Sequence, residues 1–334
     1  MKKILLVTDA WAPQVNGVVR VQDAHITSLR TRGYEVVVIE PGQFITVPLL
    51  MYPEIRLALF ARRRIARIID EQKPDAIHLM TEGPLGWAAR SVCKKRGILF
   101  TTWYHTHLQL YVKAYLHGFL SPIHALLRRF HSAASRTMVS TISLKRELES
   151  AGYRNVVIVP LGVDTELFVR NPVPSLPSLP KPVFVYFSRL APEKNPEEFL
   201  KLELPGTKLV IGDGPDRAKL EATYGKKNMF VGYKRGAELV DWLSLCDVFV
   251  FPSRTETFGL VVLEALACGI PVAAHSVMGP RDSITEGKDG YLSDDLRVAA
   301  LKCLELSPSD CRAKALQYSW KHSTDAFLQN LSFI

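Results

Sequence analysis

A chain of 334 residues, of which 47% are hydrophobic and 22% charged, has an ordinary globular composition and is too long for one typical core, so we expect two domains. No apolar stretch reaches the roughly 20 residues that a membrane-spanning helix needs. The formal net charge of +9 indicates an acidic partner, which could be nucleic acid, an anionic membrane surface or a phosphorylated small molecule.

The first residues resemble the start of a signal peptide, but their apolar run is short and Asp9 follows it at once. We interpret them as a buried first strand and expect a cytoplasmic protein. The five cysteines are scattered along the chain without metal-ligand spacing, so we expect them to be reduced packing residues.

The first half of the chain alternates short apolar runs with amphipathic segments. Six runs are predicted strands, at residues 4–8, 35–39, 76–79, 99–103, 137–141 and 156–159. Helices are predicted at residues 18–30, 85–96 and 143–150, and each is followed by a glycine that suits a helix end. This repetition predicts a parallel sheet with helices on both faces.

Four prolines between residues 171 and 180 interrupt that rhythm, and we interpret residues 169–181 as a linker. Strands are predicted again at residues 183–187, 208–211, 229–231, 248–251 and 271–274. The predicted fold is therefore α/β, with two doubly wound Rossmann-like domains, residues 1–168 and 182–316, that face each other across a cleft. A last helix is predicted at residues 318–331.

The most informative stretch runs from residue 247 to residue 271, where an apolar strand leads through a polar loop into a helix that begins near Phe258 and Gly259. Backbone N–H groups and the helix dipole at such a helix start favour a diphosphate, and a glycine lets it approach closely. Glu256 precedes the helix and could accept hydrogen bonds from sugar hydroxyls, whereas Glu264 lies inside it and could bind both ribose hydroxyls. Alternatively, Glu256 only satisfies the helix dipole and Glu264 only reaches a solvated edge.

Glu256 and Glu264 are separated by seven residues, and this spacing matches the paired-glutamate signature of retaining glycosyltransferases of family 4. The chain resembles that family over nearly its whole length, with further motifs in the family's order at residues 13–18, 104–106, 188–195 and 212–215. The resemblance implies the GT-B fold, a nucleotide diphosphate sugar as donor, acceptor binding on the amino-terminal domain, and a last helix (residues 317–334) that crosses back to that domain. The chain looks closest to bacterial enzymes that glycosylate membrane lipids, including those similar to plant sulfoquinovosyl transferases.

The resemblance also implies roles for single residues. Arg189 and Lys194 would hold the donor diphosphate, where two fixed cations stabilise the charge that the leaving group gains; the alternative is two solvated surface cations. His105 would contact the donor sugar near the anomeric carbon, unless it is a structural histidine. The expected catalytic residues are His105, Glu256, Arg189 and Lys194.

The expected donor contacts also come from both halves of the chain. They are Gly17, Val18, Arg189, Lys194, Gly214, Tyr233, Phe258, Gly259, Leu260 and Glu264, with Tyr233 near the nucleotide base. The expected acceptor contacts are Tyr104, His107 and Tyr111. Asn16 and Ser188 stand where many relatives have glycine, so we expect less pliable loops at these two places.

No Asp-x-Asp triplet and no cluster of His, Cys and acidic residues with metal spacing occurs in the sequence. We therefore expect an enzyme that uses no metal and no cofactor, in which protein cations take the place of a metal ion. No carboxylate nucleophile stands out, and the mechanism that the resemblance implies is front-side displacement with retention at the anomeric carbon.

Arginines lie among apolar residues at positions 62–64, 67, 128 and 129, a pattern that is typical of a helix lying on an anionic membrane and equally of an amphipathic helix in any basic protein. We expect a nucleotide-sugar donor, with UDP favoured over GDP, and a hexose or hexuronic acid passed to a lipid such as diacylglycerol at the inner face of the plasma membrane. The alternatives are transfer to a polysaccharide or lipopolysaccharide core, a non-catalytic nucleotide-sugar-binding protein, and a nucleic-acid-binding protein. No nucleic-acid reader motif is present, so we expect no nucleic acid partner.

Overall fold

The computed structural model describes residues 1–14, 16–49, 52–105 and 120–334, and these form two compact units. The first unit contains residues 1–161 and 320–334, and the second contains residues 162–319. The chain therefore passes from one unit to the other twice, after Leu161 and after Ser319.

The first unit is built on a sheet of parallel strands. In chain order, its elements before residue 162 are β1 (Lys3–Val7), α1 (Gly17–Thr31), β2 (Glu35–Ile39), β3 (Thr46–Leu49), β4 (Tyr52–Ala58), α2 (Ala61–Gln72), β5 (Ala76–Leu79), α3 (Pro84–Arg96), β6 (Thr101–Trp103), α4 (Leu120–His131), β7 (Arg136–Val139), α5 (Ile142–Ser150) and β8 (Val156–Ile158). The sheet has the strand order β2-β1-β5-β6-β7-β8, and every neighbouring pair is parallel. Because a parallel sheet is covered on both faces, its strands are nearly continuous apolar runs.

Two differences between the structure and the predicted elements of this unit have a clear physical cause. The antiparallel hairpin β3–β4 was not predicted, since Pro48 inside β3 cannot donate a ladder hydrogen bond and weakens the strand signal. The strand predicted at residues 137–141 ends at Val139, because the side chain of Thr141 caps α5 by accepting a hydrogen bond from the backbone N–H of Leu144.

The second unit repeats the architecture. In chain order, its elements are β9 (Val183–Phe187), a 3-10 turn (Pro192–Lys194), α6 (Pro196–Lys201), β10 (Thr207–Ile211), α7 (Arg217–Tyr224), β11 (Met229–Gly232), α8 (Gly236–Ser244), β12 (Val248–Phe251), α9 (Leu260–Ala267), β13 (Val272–Ala274), α10 (Pro280–Ser283), β14 (Gly290–Leu292), α11 (Leu296–Cys303) and α12 (Pro308–Ala315). All pairs are parallel in the order β11-β10-β9-β12-β13-β14. The prediction of two doubly wound α/β units is confirmed.

The proline-rich stretch that was predicted as a linker belongs to the second unit, which begins before the boundary predicted at residue 168. Its two ends are anchored there. The backbone N–H of Asn171 donates to Ser244 Oγ at 2.8 Å, and the Asn171 side-chain amide donates to Asp241 Oδ1 at 2.7 Å. At the other end, Lys181 Nζ lies 2.8 Å from Asp247 Oδ1.

The last helix, α13 (Trp320–Asn330), is part of the first unit. Arg32 follows α1 and pairs with Asp325 of α13 at 2.6 Å, and the buried ring of Phe327 lies against Trp103 at the end of β6. The five cysteines are buried and unbridged. Among the residues that the structure describes, no helix combines the length and the apolar character needed to cross a bilayer.

Candidate active site

The second sheet has one point where the direction of chain progression reverses, and it lies between β9 and β12. These strands are direct parallel neighbours, with Val248 beside Phe184 and Phe249 beside Val185. The loops at their carboxyl ends therefore diverge and leave a crevice, the usual place for a ligand on such a sheet. We call residues 188–195 the first site loop and residues 252–259 the second site loop.

Hydrogen bonds join the two site loops. The backbone carbonyl of Glu193 accepts from Thr255 Oγ1 at 3.0 Å and from Ser253 Oγ at 3.3 Å. Asn195 Nδ2 donates to the carbonyl of Pro252 at 3.5 Å. These bonds fix the backbones of the two site loops relative to each other. They therefore limit the positions that the side chains of both loops can take at the base of the crevice, which we call its floor.

Lys194 and Glu256 form an ion pair across this floor, between Nζ and Oε1. The side chains are 19% and 12% exposed, so neither is a freely solvated surface group. Ser253 Oγ also lies 3.4 Å from Glu256 Oε1. The structure therefore brings together a predicted diphosphate cation and a predicted sugar-binding carboxylate that are 62 positions apart in the sequence.

Arg189 also belongs to the first site loop, and a side chain of β9 holds its backbone in place by a hydrogen bond. The hydroxyl of Tyr186, buried at the end of β9, donates to the carbonyl of Arg189 at 2.8 Å. Burial raises the pKa of Tyr186, and the nearby carboxylate of Glu256 acts in the same direction, so this hydroxyl keeps its proton. Ser188 contributes a side-chain hydrogen bond to Tyr186.

Gly214 lies in the loop after the neighbouring strand β10 and contacts the backbone of the first site loop. A Cβ atom at this position would lie 2.3 Å from the carbonyl oxygen of Leu190, and one at Gly212 would lie 2.0 Å from that of Ser188. The two backbones touch, and Leu190 N donates to the carbonyl of Asp213 at 2.9 Å. The predicted donor residue Gly214 is thus a position where only glycine allows this close approach.

The predicted helix mouth is present at the start of α9. Gly259 has a φ of +85°, which is the left-handed region, and Leu260 is the first helical residue. Phe258 is buried and its ring makes an edge contact with Tyr318 at 6.1 Å between centroids. Glu264 is buried one turn into the helix, so the alternative that it only reaches a solvated edge is not supported.

Tyr233 follows β11, two strands away from β9 in the sheet. Its side chain is 52% exposed, which leaves a ring face open to a ligand. The loops after β11, β10, β9 and β12 carry Tyr233, Gly214, Lys194 and Glu256 in spatial order. All predicted donor residues of the second unit therefore lie at one edge of its sheet or in α9.

The first unit carries the other predicted site residues. Gly17 and Val18 are the first residues of α1, and the side chain of Asn16 caps this helix by accepting a hydrogen bond from the backbone N–H of Val19 at 3.0 Å. That bond gives Asn16 a structural role as the N-cap of α1.

His105 follows β6, and its ring stacks on that of Trp103 with 4.8 Å between centroids and an angle of 9°. Burial lowers its pKa from 6.5 to about 3, with smaller contributions from His25 and His131, so the ring is neutral near pH 7. A neutral imidazole can exchange hydrogen bonds with a sugar hydroxyl but brings no charge to a diphosphate.

The predicted acceptor residues receive less support. Tyr104 is 1% exposed, and its ring packs against His131 and Tyr153, so no open ring face supports acceptor contact. His107 and Tyr111 lie outside the described residues.

One part of the site escaped the sequence analysis. His275 follows β13 and is fully buried, with Nε2 at 3.0 Å from Oε1 of Glu198 in α6. Glu198 also accepts from Asn195 of the first site loop. The only local signal for His275 is its place at the carboxyl end of a parallel strand, which it shares with the residues that were predicted. Among the described residues, no group of three or more His, Cys, Asp or Glu side chains is arranged to hold a metal ion.

Two family models match the chain, and together they span most of it. The model for "Glycosyltransferase Family 4" matches residues 15–167, and that for "Glycosyl transferases group 1" matches residues 171–303.

Curated relatives show the same affiliation. The chain is 31% identical to sulfoquinovosyl transferase SQD2 of Arabidopsis thaliana, over 90% of this chain and 67% of that protein. It is 30% identical to a GDP-mannose-dependent alpha-mannosyltransferase of Mycobacterium tuberculosis, over 87% of this chain and 83% of that protein.

A solved structure extends the likeness to the fold. Anabaena Alr3699/HepE, solved in complex with UDP-glucose, aligns with a TM-score of 0.72 and 17% identity over 99% of this chain and 100% of that one. At 17% sequence identity, this structural likeness shows a shared fold, the GT-B fold, and nothing beyond the fold.

Proposed function

The chain belongs to the family 4, group 1 glycosyltransferases, and on that basis we propose that it is a retaining, metal-independent enzyme that moves a hexose or hexuronic acid from a nucleotide diphosphate sugar to a hydroxyl of a membrane lipid such as diacylglycerol. The observation that carries the proposal is the Lys194–Glu256 ion pair at the point where the second sheet reverses.

The donor diphosphate binds where Lys194 now contacts Glu256. Its oxygens take Glu256's place on Lys194, because a diphosphate carries more charge than a carboxylate. Glu256 then turns to the sugar and accepts hydrogen bonds from its hydroxyls. Arg189 and the first backbone N–H groups of α9, behind Gly259, complete the anion site. Glu264 binds the ribose and Tyr233 stacks on the base.

The reaction is a front-side displacement. The bond between the anomeric carbon and the leaving diphosphate oxygen breaks as the acceptor oxygen bonds to the same face of the sugar. The acceptor hydroxyl proton passes to the leaving diphosphate, so no protein nucleophile is required. The protein's contribution is to orient both substrates and to stabilise the negative charge that grows on the diphosphate, with Lys194 and Arg189 in place.

The base of the donor is uracil in preference to guanine in this proposal. The solved neighbour with UDP-glucose supports uracil, whereas the mannosyltransferase relative is named for GDP-mannose. A ligand that binds only the folded chain raises its melting temperature, so a thermal-shift comparison of UDP, GDP, UDP-glucose and GDP-mannose discriminates the two. A larger shift with the guanosine ligands would reverse the preference.

A lipid acceptor is supported by an exposed surface on the first unit. Ile45, Leu59 and Phe60 are exposed apolar residues that lie together, since the backbone N–H of Leu59 donates to the carbonyl of Ile45 at 2.8 Å. Exposed Arg62 and Arg63 follow directly in α2 and line a surface hollow of about 720 Å³ together with Phe60. Apolar side chains beside cations are what an anionic membrane surface binds.

Two features of this surface are unfavourable for the stability of the folded chain and therefore support a function for it. Phe60 is 91% exposed and has a φ of +52°, an unusual backbone conformation for a bulky residue. Arg62, Arg63 and Arg64 occupy the first turn of α2, where the helix dipole disfavours cations. An anionic headgroup at this helix start would offset both the dipole and the arginine charges.

The central test replaces each member of the ion pair. We expect Lys194→Ala and Glu256→Ala to lower kcat by about 100-fold or more, the scale of losing one electrostatic contact to the transition state. Lys201→Ala is the matched control, because Lys201 is an exposed cation of α6 that pairs with Glu197 one turn away and lies outside the two site loops. Turnover near that of the unchanged enzyme in both site variants would refute the assignment.

Product analysis tests retention and acceptor class together. The anomeric proton coupling in the NMR spectrum of the product distinguishes retention from inversion, and inversion would overturn the mechanism. Diacylglycerol vesicles, a polysaccharide and a lipopolysaccharide core are offered in parallel. Transfer only to one of the last two would replace the lipid acceptor.

A further inference from the structure

His275 is placed so that both of its ring nitrogens face hydrogen-bond acceptors. Nδ1 lies 3.1 Å from the carbonyl oxygen of Ser293, which follows β14, and Nε2 lies 3.0 Å from Glu198 Oε1. The side chain is fully buried, so water does not take either place. Sequence analysis gave this residue no role.

Counting protons shows what this arrangement requires. A carbonyl oxygen can only accept, so Nδ1 must carry a hydrogen. A neutral imidazole has a lone pair on the other nitrogen, and that lone pair would face an ionised carboxylate oxygen, which is repulsive. The contact is favourable only if one further proton lies between Nε2 and Oε1, whether the pair is written as imidazolium with carboxylate or as imidazole with carboxylic acid.

Glu198 connects this proton to the donor site. Its Oε2 accepts a hydrogen bond from Asn195 Nδ2, and Asn195 directly follows Lys194. Asn195 also bonds the second site loop at Pro252, and its φ of +51° is a strained value that such contacts hold in place. A chain of contacts therefore runs from His275 through Glu198 and Asn195 to the residue beside Lys194.

Few other charges face the pair. Arg254 of the second site loop lies 3.5 Å from Glu198 Oε1 and 3.9 Å from Asp294, and it is half exposed. Arg281 of α10 donates to the carbonyl of Ser276, next to His275. Glu197 is on another face of α6, where it pairs with Lys201 at 2.9 Å and accepts from Tyr224 at 2.7 Å.

We propose that His275 and Glu198 share one proton and that this protonated pair positions Lys194 for the donor diphosphate. The inference rests on the donor role of Lys194 proposed above. His275 and Glu198 are positioning residues, because they act through Asn195 and not on the substrate. When rising pH removes the shared proton, the contact becomes repulsive, the tie between β13 and α6 is lost, and the first site loop loosens.

The test is the pH dependence of kcat/KM in three variants. His275→Ala removes the tie and is expected to lower kcat/KM by about 10-fold or more at every pH, since small misplacements of a site group are costly. Glu198→Gln is expected to lose less than this, because its amide N–H can donate to a neutral Nε2 without a titrating proton. The alkaline decline of the unchanged enzyme should therefore flatten in Glu198→Gln. Glu197→Gln, the matched control, should keep the unchanged profile.

Two outcomes of the kinetics would overturn the proposal: an alkaline limb in Glu198→Gln identical to that of the unchanged enzyme, or a His275→Ala variant with undiminished kcat/KM. Should His275→Ala fail to fold, nitrogen-15 NMR of the unchanged full-length chain reads the ring directly. At pH 7 we expect Nδ1 to be protonated and a second proton to be shared at Nε2. A neutral ring with hydrogen on Nε2 alone would exclude it.

The NMR measurement also separates this inference from the proposed function. A shared proton together with full turnover in Lys194→Ala would leave the pair intact and refute the donor role of Lys194. A ring without the shared proton, together with an inactive Lys194→Ala variant, would refute the shared proton and support the donor role of Lys194.

Discussion

Gly214 shows how a single residue without a side chain determines where the first site loop lies. The carbonyl of Leu190 occupies the space that any Cβ at position 214 would need. Leu190 in turn links Arg189 to the rest of the first site loop, so the position of that loop depends on a glycine in the neighbouring one. The same contact joins the motif at residues 212–215 to the one at residues 188–195.

We expect Gly214→Ala to push the first site loop outward, because an overlap with backbone at 2.3 Å cannot be relieved by rotating a side chain. Donor affinity, measured by titration with UDP-glucose, should fall by about 10-fold or more. Gly33→Ala is the control: its Cβ would meet nothing within 4 Å, and its φ of +81° costs only local strain in the first unit. Equal donor affinity in the two variants would contradict the role of Gly214.

At the scale of elements, α2 and the hairpin β3–β4 form the surface that distinguishes the first unit. Neither belongs to the six-stranded sheet, and both follow β2 in the chain. The hairpin and α2 together place exposed apolar residues beside the start of α2 and three arginines in the first turn of this helix. Such an arrangement suits a planar anionic partner better than a small ligand.

Replacing Arg62, Arg63 and Arg64 together by Gln should abolish flotation with vesicles that contain anionic lipid. Each cation near such a surface contributes about 1 kcal/mol, so three are worth roughly 100-fold in binding. The control replaces Lys219, Lys226 and Lys227, three exposed cations of the second unit, and changes the net charge equally. Equal loss of flotation in both variants would mean that overall charge and not this surface binds the membrane.

At the scale of the whole molecule, the first unit buries histidines that come from distant parts of the chain. His25 lies in α1, His78 in β5 and His105 after β6, and Phe327 of the last helix packs against His25 and His78. Burial lowers the pKa of His25 and of His105 from 6.5 to about 3 and that of His78 well below its ordinary value. All three are neutral in the folded chain near pH 7.

These shifts give stability a defined pH dependence. Below about pH 6.5 the unfolded chain binds protons on these histidines and the folded chain does not, so stability falls as the pH falls toward 3, by on the order of 1 kcal/mol per pH unit for each histidine. The melting temperature should therefore be lower at pH 5 than at pH 7. His25→Asn should reduce this difference, whereas His322→Asn, at an exposed position, should not. A melting temperature independent of pH over this range would contradict the burial of neutral histidines.

The sequence by itself determined the local elements and the identity of the family. Apolar runs predicted every strand of the two parallel sheets apart from β14, because burial on both faces leaves a nearly continuous apolar signal. Glycines marked helix ends, and the motifs in order identified the family and predicted Lys194, Glu256 and Gly259 as site residues. Elements with a weaker local signal escaped, such as the hairpin around Pro48 and the three-residue strand β14.

Only the tertiary structure decided which of these residues meet. The Lys194–Glu256 pair, the contact of His275 with Glu198, and the contact of Gly214 with Leu190 depend on the order β10-β9-β12-β13, which no local pattern encodes. Strand order follows from how all the segments pack at once, so partners 62 or 77 positions apart cannot be identified from the residues around either one. The same holds for His105, whose neutral state results from burial among Trp103, His25 and His131, contributed by separate elements.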